Sequence, residues 1–599
     1  MNPETSPAAT RHSAWNLWRN PIFRRYCQSR LRPRGLAIWL LITVLISGFI
    51  CGMSYVETIN RHQRIDEQVE AYALQESAKP PAKPNRKQAY RVQPILNPEA
   101  EKRHATEMVA REAVVPLFIV QGLILFMIGT AMVSGGMIAE RDEGVIDYQR
   151  LVPMSPTSKV IGYLFGLPIR EYVMFLTTLP FVGWLIWRGN IEAAVWLKVY
   201  TVVLTSTLLY HFTGLLIGTV ARNRRWAFLI SIGTVFALYT IVPQLSRVGL
   251  VFFKYLTIQP VVMEILPQVT SRDIGAALET FRRIAPTAKF FNLDFSELVF
   301  TIFTQSGLIV TFAIMLRRKW RRTESHLLGK LWATGFFIWT QVLLLGNALP
   351  MIDPGNLFPS RARRFLDPSW TPEPMEAVAM SGIYGLVTLG LLVMLTGIIT
   401  PSPESQIRGW RRARKQGESS LPLLSDAATA FWWVIVMALA GAIGWFLFTR
   451  GLVESRWFEG LLPISVLGYF AAVLGVVGIS YQVLLETKGV RAVALAAIFV
   501  GVVPIMIGAL FIPLKKYVFT AWFFGLSPAS LPFYASGSLL PIAELPFQVA
   551  RAVPRAFYFW LVAGGLVTLR LVASLRTTRK AMAEDVLAAP AEVAPPLES

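Results

Sequence analysis

Cysteine and histidine are scarce, with 2 and 5 residues respectively in a chain of 599. Cys27 precedes the first apolar run and Cys51 lies inside it, so neither a disulfide framework nor a thiolate metal site can be assembled. The histidines are scattered without metal-ligand spacing, which argues against a metalloenzyme. Charge is thin as well: 16% of residues are charged and 54% are hydrophobic, outside the usual range of a soluble globular protein. A Gly-x-x-x-x-Gly-Lys-Ser/Thr phosphate loop is missing. Gly329-Lys330-Leu331 lacks both its upstream glycine and its hydroxyl residue, so the chain carries no nucleotide cradle of that kind and no cofactor is expected in it.

What fills the chain is apolar sequence in runs long enough to cross a bilayer core of about 30 Å. They fall at 36–56, 114–138, 160–187, 195–221, 227–243 and 298–316, and again at 328–349, 377–399, 427–448, 461–485, 492–513 and 557–575. The expected fold is an all-α integral membrane protein of about twelve transmembrane helices. The first run is longer than a signal-peptide core and is followed by no small-residue cleavage site, so it reads as a retained anchor.

The formal charge of +21 does not point to nucleic acid, because the basic residues sit in short tracts beside apolar runs. Arg222, Arg224 and Arg225, then Arg317, Arg318, Lys319, Arg321 and Arg322, then Arg408, Arg411, Arg412, Arg414 and Lys415 occupy alternate loops. The positive-inside rule therefore puts both termini in the cytoplasm and the protein in the cell (inner or plasma) membrane as a multi-pass chain.

Loop lengths show an internal repeat: each half reads span, outside stretch, span, charged cytoplasmic loop, three closely linked spans, a longer outside stretch and a last span. The halves are 36–316 and 328–575, joined by the basic linker 317–327 and flanked by a cytoplasmic segment 1–35 and a tail 576–599. The outside stretch 57–113 contains Lys79-Pro80-Pro81-Ala82-Lys83-Pro84, an extended linker expected between polar helical arms. It offers a place for an accessory extracytoplasmic protein. Ile284-Ala285-Pro286 and Leu526-Ser527-Pro528 occupy matching late outside stretches.

The most specific feature is the charged break Glu140-Arg141-Asp142-Glu143-Gly144 where the second span ends, within the cytoplasmic loop 140–159. Ionised side chains cost roughly 2.5–3.5 kcal/mol each in hydrocarbon, so this segment faces water and a soluble partner can reach it. The run from Gly136 through Glu140-Arg141-Asp142-Glu143-Gly144 to Pro153-Met154-Ser155-Pro156 resembles the permeases of ATP-binding-cassette transporters, exporter-type (ABC type 2) branch. In that family the second helix ends in a pattern close to Glu-Arg-Glu-x-Gly-Thr. Here Val145 replaces the usual threonine and Asp142 the common glutamate.

The resemblance implies that Glu140, Arg141, Asp142, Glu143 and Gly144 lie against an ATP-binding subunit. Asn20-Pro21-Ile22-Phe23-Arg24-Arg25, with Trp15, Leu17 and Trp18 before it and Arg30, Arg32 and Arg34 after, is similar to the amphipathic elbow helix of such permeases. The second half has no matching motif. Its loop 400–426 is basic, with Arg408, Arg411, Arg412 and Arg414, and serves either a second ATPase subunit or orientation alone. The implied protein is a transport permease, not itself an enzyme, partnered by a separate ATPase in two copies and by the lipid bilayer. Exporters of lipid, peptide, drug and polysaccharide share this hydropathy.

Within the spans, Arg170 and Glu171 read as the interfacial start of a helix and His211 as a helix–helix contact. A substrate path or proton relay is the functional alternative for each. Two other functions fit the hydropathy: an ion-coupled twelve-helix secondary transporter, and a membrane-embedded enzyme acting on lipid-linked substrates. The latter would use the outside cluster Asp353, Arg361, Arg363, Arg364 and Asp367.

Overall fold

The computed structural model describes residues 16–77, 97–221, 224–269, 289–352, 372–418 and 420–588. The Lys79–Pro84 linker, Trp15, Arg222, the Ile284-Ala285-Pro286 phrase and the Asp353 to Asp367 cluster lie outside them. Eleven helices among the described residues are long and apolar enough to span a membrane, so the chain is a helical membrane protein. It divides into two compact units: Met1–Ile241 with Tyr255–Ala285 and Glu297–Ala313, and Val242–Lys254 with Pro286–Ser296 and Ile314–Ser599.

The first unit opens with α1 (Pro21–Arg30). Asn20 caps it, its Oδ1 accepting from the amides of Ile22 at 3.0 Å and Phe23 at 3.3 Å, and Pro21 sits at the first helical position, where its missing N–H costs nothing. Helix α2 (Pro33–Ser77) has 45 residues, about 68 Å at 1.5 Å per residue, and so outruns the bilayer core. Its polar end pairs with the start of α3 (Pro98–Asp142). Arg61 meets Glu112 at 3.0 Å, Lys102 meets Asp66 at 2.5 Å, and His62 Nε2 lies 2.9 Å from both the Lys102 carbonyl and Thr106 Oγ1. The polar arms expected on either side of the linker are thus paired helices.

Helix α3 widens into a π-turn at Leu123–Gly129 and then continues to Asp142. Two short helices follow, α4 (Val145–Leu151) and α5 (Pro156–Gly166), then α6 (Ile169–Arg188), α7 (Ala193–Val220), α8 (Arg224–Thr240) and α9 (Gln259–Val269). The apolar run at 160–187 is therefore not one helix. It breaks at Leu167-Pro168, because proline supplies no amide to continue the ladder: Leu167 keeps helical angles (φ −61°, ψ −47°) and Pro168 leaves them (φ −95°, ψ 24°).

Small residues set the spacing of α3 against α7. A Cβ on Gly214 would lie 2.7 Å from the Thr130 carbonyl oxygen, and one on Gly218 would lie 2.7 Å from Met137 Cβ. The Gly214-x-x-x-Gly218 face thus lets the backbones approach, as membrane helices use small residues to do. Ser231 on α8 donates to Ser134 on α3 at 2.7 Å.

The second unit contains a two-stranded hairpin, β1 (Lys289–Phe290) with β2 (Leu293–Asp294). Helix α10 (Glu297–Arg321) starts in the first unit and ends here, followed by α11 (Lys330–Ile352), α12 (Pro374–Ile399), the amphipathic α13 (Pro403–Lys415) and α14 (Phe431–Val453). Helix α15 (Ser465–Leu510) runs for 46 residues. It covers two of the expected spans, which is why eleven helices qualify rather than twelve. Gly489 (φ 78°, ψ −175°) breaks it into two arms, each long enough to cross, in a conformation that glycine alone adopts readily. Helices α16 (Tyr517–Gly525), α17 (Leu531–Leu539) and α18 (Ala552–Ala588) complete the unit. Its core is tight: Trp445 stacks on Phe470 with centroids 3.8 Å apart, and the Trp445 indole donates to Ser381 Oγ at 3.0 Å.

Candidate functional site at the elbow and the charged loop

Helix α1 lies in a glycine groove on α5. A Cβ on Gly162 would meet Asn20 Oδ1 at 2.7 Å, and one on Gly166 would meet the Tyr26 ring at 2.7 Å. The Asn20 amide reaches across to donate to the Ser158 carbonyl at 2.7 Å. Ile22, Phe23 and Tyr26 are buried against this surface while Arg24 and Gln28 point to solvent, the alternation of an amphipathic helix.

That docking brings Arg25 to Glu140. The two form an ion pair, and the second carboxylate oxygen accepts a hydrogen bond from Tyr163 at 3.0 Å. Arg25 also donates to the Tyr26 hydroxyl at 3.3 Å, and its guanidinium lies 5.0 Å from the Tyr26 ring centroid. Burial works against the Arg25 charge, but Glu140 outweighs it and holds the guanidinium above its ordinary pKa. Burial first, and Glu140 second, push the Tyr26 phenol well above its usual value, so it stays neutral. Only 13% of the Glu140 side chain is exposed, so its partners are the elbow and α5, not solvent.

The other loop residues point differently. Arg141 is half-buried and lies 3.6 Å from Asp142, while Asp142, Glu143 and Gly144 are exposed. Gly144 takes a left-handed turn (φ 72°, ψ 3°) at the end of α3, where Glu143 N–H donates to the Ala139 carbonyl at 3.0 Å and Gly144 N–H to the Arg141 carbonyl at 3.0 Å. The turn starts α4, which buries Ile146 and presents Tyr148 and Leu151 to solvent, 68% and 83% exposed. Lys159, itself buried, donates to the Arg150 carbonyl at 3.2 Å and so ties the end of α4 to α5. The sequence singled out Glu140 to Gly144 and placed Arg25 in the elbow, but gave neither the pairing of Arg25 with Glu140 nor the roles of Tyr26 and Tyr163. Nor did it separate the exposed α4 pair Tyr148 and Leu151 from the buried Ile146 beside them, which needs the fold.

In the second unit the basic residues sit on α13, capped by Ser402 with Pro403 at its first position. Arg408 pairs with Glu324 and with Glu404 at 3.3 Å, Arg412 lies 3.8 Å from Glu324, and Arg411 is exposed. Arg408 and Arg412 help line a wide cationic cleft of about 1180 Å³ with Arg318, Arg321 and Arg322. Beneath α13 the buried Glu486 accepts from Gln406 at 3.2 Å and Thr429 at 3.0 Å, with Arg579 3.7 Å away.

The intramembrane residues are engaged. Arg170 pairs with Glu171 at 2.7 Å and lies 4.8 Å from the Trp39 ring centroid, and both residues stand in the first turn of α6. On α7, His211 Nε2 is 3.0 Å from the Leu125 carbonyl at the π-turn, and its Nδ1 is 2.8 Å from the Tyr172 hydroxyl. A carbonyl only accepts, so Nε2 carries the proton and Nδ1 accepts from Tyr172. Both ring nitrogens are used, as in a packing contact. Among the described residues, no group of three or more histidine, cysteine or acidic side chains is placed to hold a metal ion.

Many spanning helices, an amphipathic helix docked beside the end of one of them, and a short solvent-exposed helix on a charged loop make this a multi-pass helical membrane protein. Residues 21–244 match the family model described as ABC-2 type transporter, beginning at the first residue of α1 and ending beyond α8. The match covers the part of the chain that carries the resemblance read from the sequence, including the charged loop after α3. No curated protein and no solved structure matches the chain.

Proposed function

We propose that the chain is the membrane-spanning permease of an ATP-binding-cassette exporter, driven by a separate ATPase subunit that docks on the loop at 140–159. One observation carries this reading. The exposed face of α4 follows a membrane helix directly at the Gly144 turn, and the end of that helix is held to the elbow by Glu140 and Arg25. A push on Tyr148 and Leu151 is then passed to α3 and α1 together, with no flexible segment longer than the turn between them. Asp142, Glu143 and Asp147 surround the contact with carboxylates suited to a partner's basic side chains.

The two halves 36–316 and 328–575 are repeats with both termini in the cytoplasm, a reading supported by the alternation of basic loops. They engage their ATPase copies unequally. The first half offers an acidic loop with an apolar tip, whereas α13 offers arginines, two of them already paired with Glu324. Purification in a mild detergent with an affinity tag is the test. Recovery of an ATP-binding-cassette ATPase with the chain supports the proposal, and recovery of the intact chain alone contradicts it.

A further inference from the structure

The end of the elbow and the start of the first span enclose a cavity of about 640 Å³ lined by Ser29, Arg30, Arg32, Arg34 and Arg170. Four guanidinium groups thus come from three places: the last turn of α1, the junction into α2, and the first turn of α6. No carboxylate among the described residues lines it. Arg170 is anchored by Glu171 and by the Trp39 ring, but Arg32 and Arg34 are exposed and form no ion pair among the described residues. A Cβ on Gly35 would meet nothing within 4 Å, so the cavity is open at that side. Like charges lining one cavity repel one another, and an anion between them relieves the repulsion.

The surface next to the cavity says which anion. Ile38, Leu41, Ile42 and Leu45 follow within two turns of α2 and are all exposed, a face suited to acyl chains. We infer that the cavity binds the phosphodiester headgroup of an anionic phospholipid, with its chains along α2. Guanidinium groups bind phosphate oxygens in paired, charge-assisted hydrogen bonds. A bound lipid would bridge α1, α2 and α6, and so hold the elbow that carries Arg25.

The test is lipid binding by the purified full chain, measured by native mass spectrometry and by fluorescence with labelled phosphatidylglycerol in neutral detergent. Phosphatidylglycerol is expected to bind and phosphatidylcholine not, with millimolar inorganic phosphate failing to displace the lipid. Replacing both Arg32→Ala and Arg34→Ala should weaken binding roughly 30-fold, at about 1 kcal/mol for each basic residue near the surface. Arg24→Ala, which removes a charge from the same helix outside the cavity, should change it little. Gly35→Phe puts a ring at the open side of the cavity with every charge and every orientation signal kept, and should also weaken binding. Equal losses for Arg24 and for the Arg32 and Arg34 pair, or full binding by Gly35→Phe, would show diffuse charge attraction and overturn the site. Displacement by inorganic phosphate alone would overturn the lipid assignment. None of these outcomes depends on whether an ATPase is present.

Discussion

Arg25 and Glu140, 115 residues apart in sequence, form an ion pair that fastens the amphipathic elbow to the end of a membrane helix. Tyr163, from a third helix, donates to the other oxygen of the same carboxylate at 3.0 Å. Glu140 therefore acts as a joint between α1, α3 and α5. A double-mutant cycle with Arg25→Ala and Glu140→Ala should give a coupling energy of about 1 kcal/mol, at the modest end because the Arg25 side chain is 38% exposed. Thermal unfolding of the purified protein measures it. Single variants that prove additive would show that the pair holds nothing.

Gly144 should tolerate no β-branched residue. Its φ of 72° is left-handed, where an L side chain costs roughly 1–2 kcal/mol, so Gly144→Val should deform the turn into α4. Transport-coupled ATPase activity should fall while the melting temperature of the membrane domain changes by a few degrees at most. Gly144→Ala is expected to lie between the two.

The face of α7 that meets α3 has no room for larger residues. Gly218→Leu would press against Met137 and the Ser134 carbonyl, both within 2.8 Å of the first added atom. Because the nearest atoms include backbone, overpacking of about 1–3 kcal/mol is expected, read as a lower melting temperature and reduced yield. Gly233→Leu, where a Cβ meets nothing within 4 Å, is the control and should be near neutral.

His326, in the turn between α10 and α11, carries a pH dependence. Burial lowers its pKa first; Asp426 opposes that, while Lys330, Arg318 and Lys319 add to the lowering. The folded protein therefore takes up the His326 proton less readily than the unfolded chain, whose imidazole titrates near pH 6.5. The stability this site contributes is full above that pH and declines as pH falls through it toward the lower folded value. Melting curves between pH 7.5 and about 5 should show the decline, and His326→Gln should flatten that part of the curve.

The sequence made the membrane class plain because hydrocarbon tolerates few patterns besides long apolar helices. The elbow was legible from Asn20-Pro21 and its alternating arginines, and the loop from its charge. The 57–77 and 98–113 arms were foreseeable as helices, although their pairing through Arg61 and Glu112 was not. Three features stayed hidden for physical reasons. The Arg25 to Glu140 pair depends on tertiary docking that no local pattern encodes. Pro168 sits inside an apolar run that hydropathy alone reads as continuous. The partners of His211, though not its place in a helix–helix contact, depend on a π-turn in another helix, which exposes the Leu125 carbonyl to it.

The central claim is that an ATPase rests on the exposed face of α4, and photo-crosslinking tests it most directly. A benzophenone side chain placed at Tyr148 or Leu151 in native membranes should crosslink to an ATP-binding-cassette ATPase identifiable by mass spectrometry. The same group at Leu569, exposed on the apolar part of α18, should not. Crosslinks from Tyr148 and Leu151 that capture only lipid or this chain itself, in membranes where the protein is intact and active, would contradict the account.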